Sequence, residues 1–407
     1  MTLGSAKCAV LKAISCAIWP AYASVAWIRR RTFQVDSVKR VVVIATRTGI
    51  GNAVLLTPLL QSLKKQLPSV RTYVIVGNTA VAELLEGAEF IDRLLIFRPI
   101  GAGAVLGGLR YFLERVRPLK PDLCIRTPLE SSFDFALFAL LSGAPYRASH
   151  CNWLDGSLDT WRLQTTDAIH EVEQHLKLLK HIGFRTENLV VTARIPVSED
   201  ARTQARSFLA AHSVGDRDFV LGIHVGSGKA QEAKRWPATR FAEIADRFRD
   251  LGAQVVVFGG PDDREVIGEF QRAVGATHIL ATRQTLAQSA ALIERCDIFL
   301  SNDSGLMHIA AAVGTPVVAI FGPTIPSKNR PWRVPHILVR KELDCSPCYD
   351  AQATCPISCD NRVCLLDLTA EEVLNGICQL CSAIKKGHDR EFVLERVVAR
   401  MPGRRIR

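Results

Sequence analysis

The chain is short of acidic residues and lacks any apolar run long enough to cross a bilayer. Its 407 residues carry 40 Asp and Glu against 51 Lys and Arg, a formal net charge of +11. A basic surface suits nucleic acid, anionic lipid or a phosphorylated substrate. Zinc-finger spacing and RNA-binding aromatic motifs are missing, so no nucleic-acid partner is expected. The longest apolar stretch, Ala13 to Ile28, falls below the roughly 20 residues of a membrane span, and Pro20 interrupts it. No small-residue cleavage pattern follows it. Twelve Cys without a cleavable signal suit a reducing compartment.

What remains is ordinary globular composition, 48% hydrophobic and 22% charged. The length suggests two domains, each able to bury a core. The expected division is 1–34 as an apolar and basic segment, 35–195 and 196–385 as two α/β domains, and 386–407 as a basic tail. In the first segment Val10, Ile14, Ile18, Val25 and Ile28 fall near one helical face. Trp19, Tyr22 and Trp27 are aromatic types favoured at lipid headgroups, and Arg29, Arg30 and Arg31 follow. One reading is an interfacial helix on an anionic membrane. A second is a helix packed on the protein's own surface, and a third is a single-pass anchor.

The chain is organised around Asp297 to Pro326. Ile298 to Ser301 reads as a buried strand, Asn302 to Gly305 as a tight polar turn, and Leu306 to Val313 as a helix stopped by Gly314. Pro316 to Phe321 reads as a second strand. Strand, turn, helix and strand repeat in parallel α/β sheets. Ser304 is a good N-cap, and a helix start of this kind holds an anion. His308, one turn in, can add a donor or a charge.

The pattern N-D-S-G-x-x-H-x-A-A-x-x-G-T-P-x-V-x-x-F-G-P-T (Asn302 to Thr324) resembles the donor-site signature of the lipopolysaccharide heptosyltransferases, glycosyltransferase family 9. The resemblance implies a GT-B type α/β fold, two Rossmann-like domains about a central cleft. It implies donor contacts from Asp303, Ser304, Gly305, His308, Gly322 and Thr324.

Two further stretches fit. Phe219 to Val225 reads as a strand running into Gly226-Ser227-Gly228-Lys229, whose backbone can approach a phosphate closely. Lys234-Arg235-Trp236-Pro237 resembles the family's second donor signature, so Ser227 and Lys234 join the expected donor set. The turn Gly259 to Asp263 is expected near the nucleoside. In the first domain, Arg40 to Ala45 opens the sheet. The loop Thr46 to Gly51 then resembles the family's acceptor-side loop, implicating Arg47, Gly49 and Gly51. The family usually has Gly-Asp where this chain has Gly51-Asn52, and that Asp is the expected general base. Asn52 therefore occupies the catalytic position with an amide. Glu130 is the other catalytic candidate, with capping of the helix at Phe133 as its alternative role.

The resemblance implies transfer of a sugar, most simply heptose from ADP-heptose, to a lipid-linked saccharide at the cytoplasmic face of the inner membrane. It implies an inverting reaction without a metal or other cofactor, since no DxD-like motif sits at the site. The alternatives are another nucleotide sugar and acceptor, or a catalytically weakened binding relative. Cys345, Cys348, Cys355, Cys359 and Cys364 form a Cys-rich loop over 345–364. Its C-x2-C pair suits a metal, but the remaining spacings match no standard zinc finger, so reduced structural thiols are the alternative.

Overall fold

A computed structural model describes residues 24–98, 104–150, 158–349, 359 and 361–384. The chain divides into two compact units, 1–192 and 193–407.

In the first unit a helix, α1, covers residues 24–32. There follow β1 (Arg40–Ala45), α2 (Ile50–Gln66), β2 (Arg71–Val76), α3 (Thr79–Leu85), β3 (Arg93–Ile96) and α4 (Ala104–Tyr111). Then come β4 (Leu123–Arg126), α5 (Phe133–Leu141), β5 (Tyr146–His150), β6 (Trp161–Leu163) and α6 (Glu171–Ile182). The strands make one parallel sheet in the order β3-β2-β1-β4-β5-β6. The order reverses between β1 and β4, and in sheets of this topology ligands bind beyond the strand ends at that point. The β1–α2 loop, Thr46 to Gly49, and the turn after β4 both sit there.

The second unit begins with α7 (Glu199–Ala211) and continues β7 (Val220–His224), α8 (Ala238–Asp250), β8 (Gln254–Phe258), α9 (Arg264–Ala273), β9 (Ile279–Ala281) and α10 (Leu286–Glu294). It closes with β10 (Ile298–Asn302), α11 (Gly305–Val313), β11 (Val317–Ile320), α12 (Pro326–Asn329), β12 (His336–Val339), α13 (Val363–Leu366) and α14 (Ala370–Ala383). Its parallel sheet has the order β12-β11-β10-β7-β8-β9, with the reversal between β7 and β10. Val220 to His224 and Ile298 to Asn302 are buried throughout, as central strands covered on both faces must be. α14 starts with the expected capping box of Thr369 and Glu372, and its Cys378 and Cys381 lie in the core.

Two expectations shift and a third is narrowed. The Gly-rich stretch before Leu109 reads as a loop, yet α4 runs through Gly107 and Gly108. A Cβ on Gly108 would lie 2.1 Å from Cζ of Phe138. The glycine there lets α4 close onto α5; it does not break the helix. β5 was hidden because Arg147, Ser149 and His150 alternate poorly as an apolar pattern, although all three are buried. His170 and His175, read as surface or packing residues, are packing residues. His170 accepts a hydrogen bond from the Val172 amide at the start of α6, and His175 is buried beside His150, with ring centroids 5.6 Å apart.

That histidine pair makes stability pH-dependent. Burial lowers the pKa of His175 to about 4, and burial together with His175 holds His150 well below its usual value. Depressed folded-state values mean that the unfolded chain takes up protons first. The contribution is complete above about pH 6.5 and is lost as pH falls toward 4. By pH 5 His175 alone should cost about 2 kcal/mol. Urea midpoints at pH 7.5 and 5 check this, and a His150→Gln/His175→Gln variant should show the weaker dependence.

Candidate functional site

The second unit gathers three chain segments at its topological reversal. The fully buried Asn302, last residue of β10, ties them together. Its Oδ1 accepts from the Trp236 amide at 3.0 Å, and its Nδ2 donates to the carbonyls of Val225 at 3.0 Å and Gly226 at 3.1 Å. One side chain thus satisfies three backbone groups that would otherwise be orphaned, and it fixes the Gly226–Gly228 loop relative to the start of α11. Trp236, also fully buried, donates its indole N–H to the Leu368 carbonyl at 2.8 Å.

The loop itself is shaped by Gly228, at φ +84°, a conformation that side-chain-bearing residues rarely adopt. Arg235 grips it, donating from Nε to Ser227 Oγ at 3.2 Å and from Nη2 to the Gly228 carbonyl at 3.1 Å. Ser227 Oγ donates in turn to the Gln231 carbonyl at 2.6 Å. Lys234 points elsewhere. Its Nζ lies 3.1 Å from Asp303 Oδ2, with both side chains largely buried, and 5.4 Å from the centre of the Tyr349 ring.

α11 begins at Gly305, directly after Ser304, so Lys234 reaches the residue beside an uncapped helix start. Helix starts carry partial positive charge and free amides. His308, 5% exposed, has no partner at Nδ1, and Thr324, 2% exposed, has none at Oγ1. Buried polar atoms without partners are rare, and here they accompany free amides and a cation. Burial pushes the His308 pKa down, Asp303 opposes and Lys234 reinforces, leaving it at about 4. The ring is neutral at pH 7, so of the two expected contributions it offers a hydrogen bond and not a charge.

Gly322 serves packing. A Cβ there would lie 2.7 Å from Cγ of Leu365 in α13. The Cys-rich segment begins on the same turn: Ser346 Oγ donates to the Gly322 carbonyl, and the amides of Cys348 and Tyr349 donate to the Pro323 carbonyl. Cys345, Cys359 and Cys364 are free thiols, Cys348 is half-buried, and Cys355 lies outside the described residues. Among the described residues no three His, Cys, Asp or Glu side chains are arranged to hold a metal.

In the first unit Asn52 is half-buried in the first turn of α2, behind the N-cap Gly49 and next to Gly51. Glu130 lies in the turn after β4 and is fully buried. It accepts from the Arg47 amide at 2.6 Å, from Thr46 Oγ1 at 3.3 Å and from Thr127 Oγ1. Burial raises its pKa, against the pull of those hydrogen bonds. Glu130 therefore braces the Thr46–Arg47 loop, and no bond from it to the start of α5 is seen. Arg47 is exposed, 3.9 Å from Asp134 Oδ2, with its guanidinium over the Phe135 ring.

Sequence reasoning missed the bracing residues: Asn302, His224, Asp263, and the buried Arg126–Asp159 pair. Asn302 had a signal as the first residue of the N-D-S-G turn, and Asp263 as the last residue of the Gly259–Asp263 turn.

Residues 129–357 match the model of glycosyltransferase family 9 (heptosyltransferase). The chain is 34% identical over 167 residues to lipooligosaccharide heptosyltransferase 2 of Campylobacter jejuni strain 81116. That match takes in 40% of this chain, and it spans about half of the relative, 51%. It is 30% identical over 246 residues to lipopolysaccharide heptosyltransferase 2 of Escherichia coli K12, covering 57% of this chain and 69% of that one. The crystal structure of the family 9 glycosyl transferase from Veillonella parvula superposes with a TM-score of 0.74 at 27% identity. The match covers 84% of this chain and 97% of that one. With both parallel sheets in Rossmann order and a family match over more than half its length, the chain belongs to glycosyltransferase family 9 and has its GT-B type fold.

Proposed function

We propose that the chain transfers a sugar from a nucleotide diphosphate donor, most simply heptose from ADP-heptose, to a lipid-linked saccharide of the lipopolysaccharide type. The observation that carries this reading is the start of α11. The helix start lacks a side-chain cap, the Lys234 ammonium lies against Asp303 beside it, and His308 in the first turn and Thr324 beyond β11 each hold a buried polar atom without a partner. The relatives' name, heptosyltransferase 2, supports heptose as the sugar.

In this reading the C–O bond between sugar and diphosphate breaks and negative charge gathers on the leaving diphosphate. Lys234 and the α11 amides stabilise that charge where it develops. Asp303 aims the ammonium. The reaction is inverting and needs no metal, because the positive charge comes from the protein. An acceptor hydroxyl attacks from the opposite side, and the Arg47–Asn52 loop is its binding element. Lys234→Ala should weaken binding of the donor nucleotide by about 1–3 kcal/mol, the value of a charge-assisted contact. Calorimetry with ADP, UDP and GDP tests both the site and the base. Unchanged affinity in a folded variant removes Lys234 from the site.

The second reading, a weakened relative that binds without efficient turnover, is favoured by the amide at Asn52.

We place the protein on the inner face of the membrane through its N-terminal segment. In α1, Val25, Trp27 and Ile28 are 40%, 55% and 54% exposed, Ala26 is buried, and Arg31 stacks over Trp27. Exposed apolar side chains beside arginines suit an anionic lipid surface. No helix among the described residues is long and apolar enough to cross a membrane. Trp19 and Tyr22 lie outside the described residues. Removing residues 1–32 should abolish co-sedimentation with anionic vesicles. Equal pelleting of the shortened and full chains rejects this attachment.

A further inference from the structure

Ser304 is a capping residue that does not cap. Its backbone is extended, φ −145° and ψ 169°, as an N-cap requires, yet its side chain accepts no helix amide. Asn78, Ser198, Thr285 and Thr369 all cap their own helices with the side chain. The Ser304 hydroxyl is held 2.9 Å from His224 Nδ1 and 3.0 Å from Ser301 Oγ. On the far side of the ring, His224 Nε2 lies 3.3 Å from Asp263 Oδ2. All three side chains are at least nine-tenths buried.

Asp263 is fixed in place. It accepts from the Gly260 amide at 3.0 Å, and a Cβ on Gly226 would collide with its carboxylate. Burial pushes its pKa up, but His224 and the amides of Gly260 and Gly228 outweigh this and bring it down to about 2. A carboxylate at this distance accepts, so a ring hydrogen sits on Nε2. Nδ1, on the other side of the ring, meets the Ser304 hydroxyl.

We propose that His224, oriented by Asp263, is a positioning residue for donor binding: it holds the Ser304 hydroxyl off the first amides of α11, so that the diphosphate takes the place of the missing cap. The neighbouring Nδ1 of His308, buried and unpartnered, independently points to a ligand at this helix start. His224 was not among the residues expected to meet the donor, and Asp263 was expected only as the end of a turn near the nucleoside. The inference rests on the diphosphate reading of the site.

The test uses two amide substitutions. Asparagine places its amide where Nδ1 lies, and glutamine places its amide where Nε2 lies. H224N therefore keeps the hold on Ser304, whereas H224Q keeps only the contact with Asp263. With ADP as the probe in calorimetry, H224N should bind within about threefold of the full wild-type chain. H224Q should bind at least about tenfold more weakly, because Ser304 is released to cap the helix itself. H224L, which makes neither bond, is the second variant should H224Q not fold, and the same loss is expected. In a Ser304→Gly background the substitution at 224 should have no further effect, since no hydroxyl remains to compete. Equal losses in H224N and H224Q, no loss in either, or a full additional loss in the Ser304→Gly background overturns the inference while leaving the diphosphate site standing. Failure of the wild-type chain to bind ADP, UDP, GDP or CDP overturns the site and the inference together.

Discussion

Asn52→Asp is expected to raise turnover by about 10²–10⁴-fold, the usual worth of a general base. Inverting transfer requires a proton to leave the acceptor hydroxyl, and an amide cannot take it at neutral pH. Asn52 stands in the first turn of α2, half-buried, behind a glycine N-cap whose helix has no acidic residue in that turn. A carboxylate there is favoured by the helix dipole, so the substitution should not unfold the chain. The competing assignment is Glu130. Its raised pKa suits a base, but its oxygens already accept from Thr46, Arg47 and Thr127, and none of it is exposed. Glu130→Gln brings an amide N–H₂ toward those same donors and should disturb the loop. If Glu130 only braces, its variant loses acceptor affinity, seen as a higher acceptor KM. If it is the base, kcat collapses with KM unchanged. A rate untouched by both substitutions would place the base elsewhere.

Asp159→Ala should destabilise the first unit by about 3–5 kcal/mol, the cost of stripping one partner from a buried ion pair. Arg126 and Asp159 are both fully buried and directly bonded. Ser149 donates a further hydrogen bond to the same carboxylate oxygen at 2.7 Å. Without Asp159 the Arg126 guanidinium loses that carboxylate and keeps the carbonyls of Glu130 and Ser132 among its partners. Arg147 also loses a compensating charge; burial already lowers its pKa against the pull of Asp159. Replacing both partners, as Arg126→Met/Asp159→Leu, should cost less than the single change, because the Arg126 charge is removed together with its partner and only Arg147 then lacks the Asp159 carboxylate. Urea unfolding of the three proteins decides this. Arg126 also ties the chain end of β4 to the Glu130 turn, so the single variant should lose acceptor binding as well. A single variant as stable as the wild type would show that water reaches the pair.

Much of the second unit was legible in the chain itself. Ile298 to Ser301, the helix stop at Gly314 and the second strand follow from local chemistry, namely apolar runs, a left-handed glycine and proline. Lys234 and Asp303 could be named from their motifs, and they meet as a buried pair. The sequence by itself determined the family, the parallel α/β character, and which turn would open α11. Those properties depend on residues close together along the chain.

Tertiary structure alone decided what that helix start is free to do. Ser304 is a good cap by every local rule, and it fails to cap because His224, 80 residues earlier, captures its hydroxyl. His308 looks chargeable in sequence, and burial makes it neutral. Glu130 reads as a catalytic candidate or a cap for the next helix, and its side chain closes a loop 83 residues upstream. The glycines at 107 and 108 read as a loop, and the ring of Phe138 shows why the helix needs a glycine at 108. In each case the deciding partner lies far away in sequence. Desolvation and hydrogen-bond competition act only once the fold has brought the groups together.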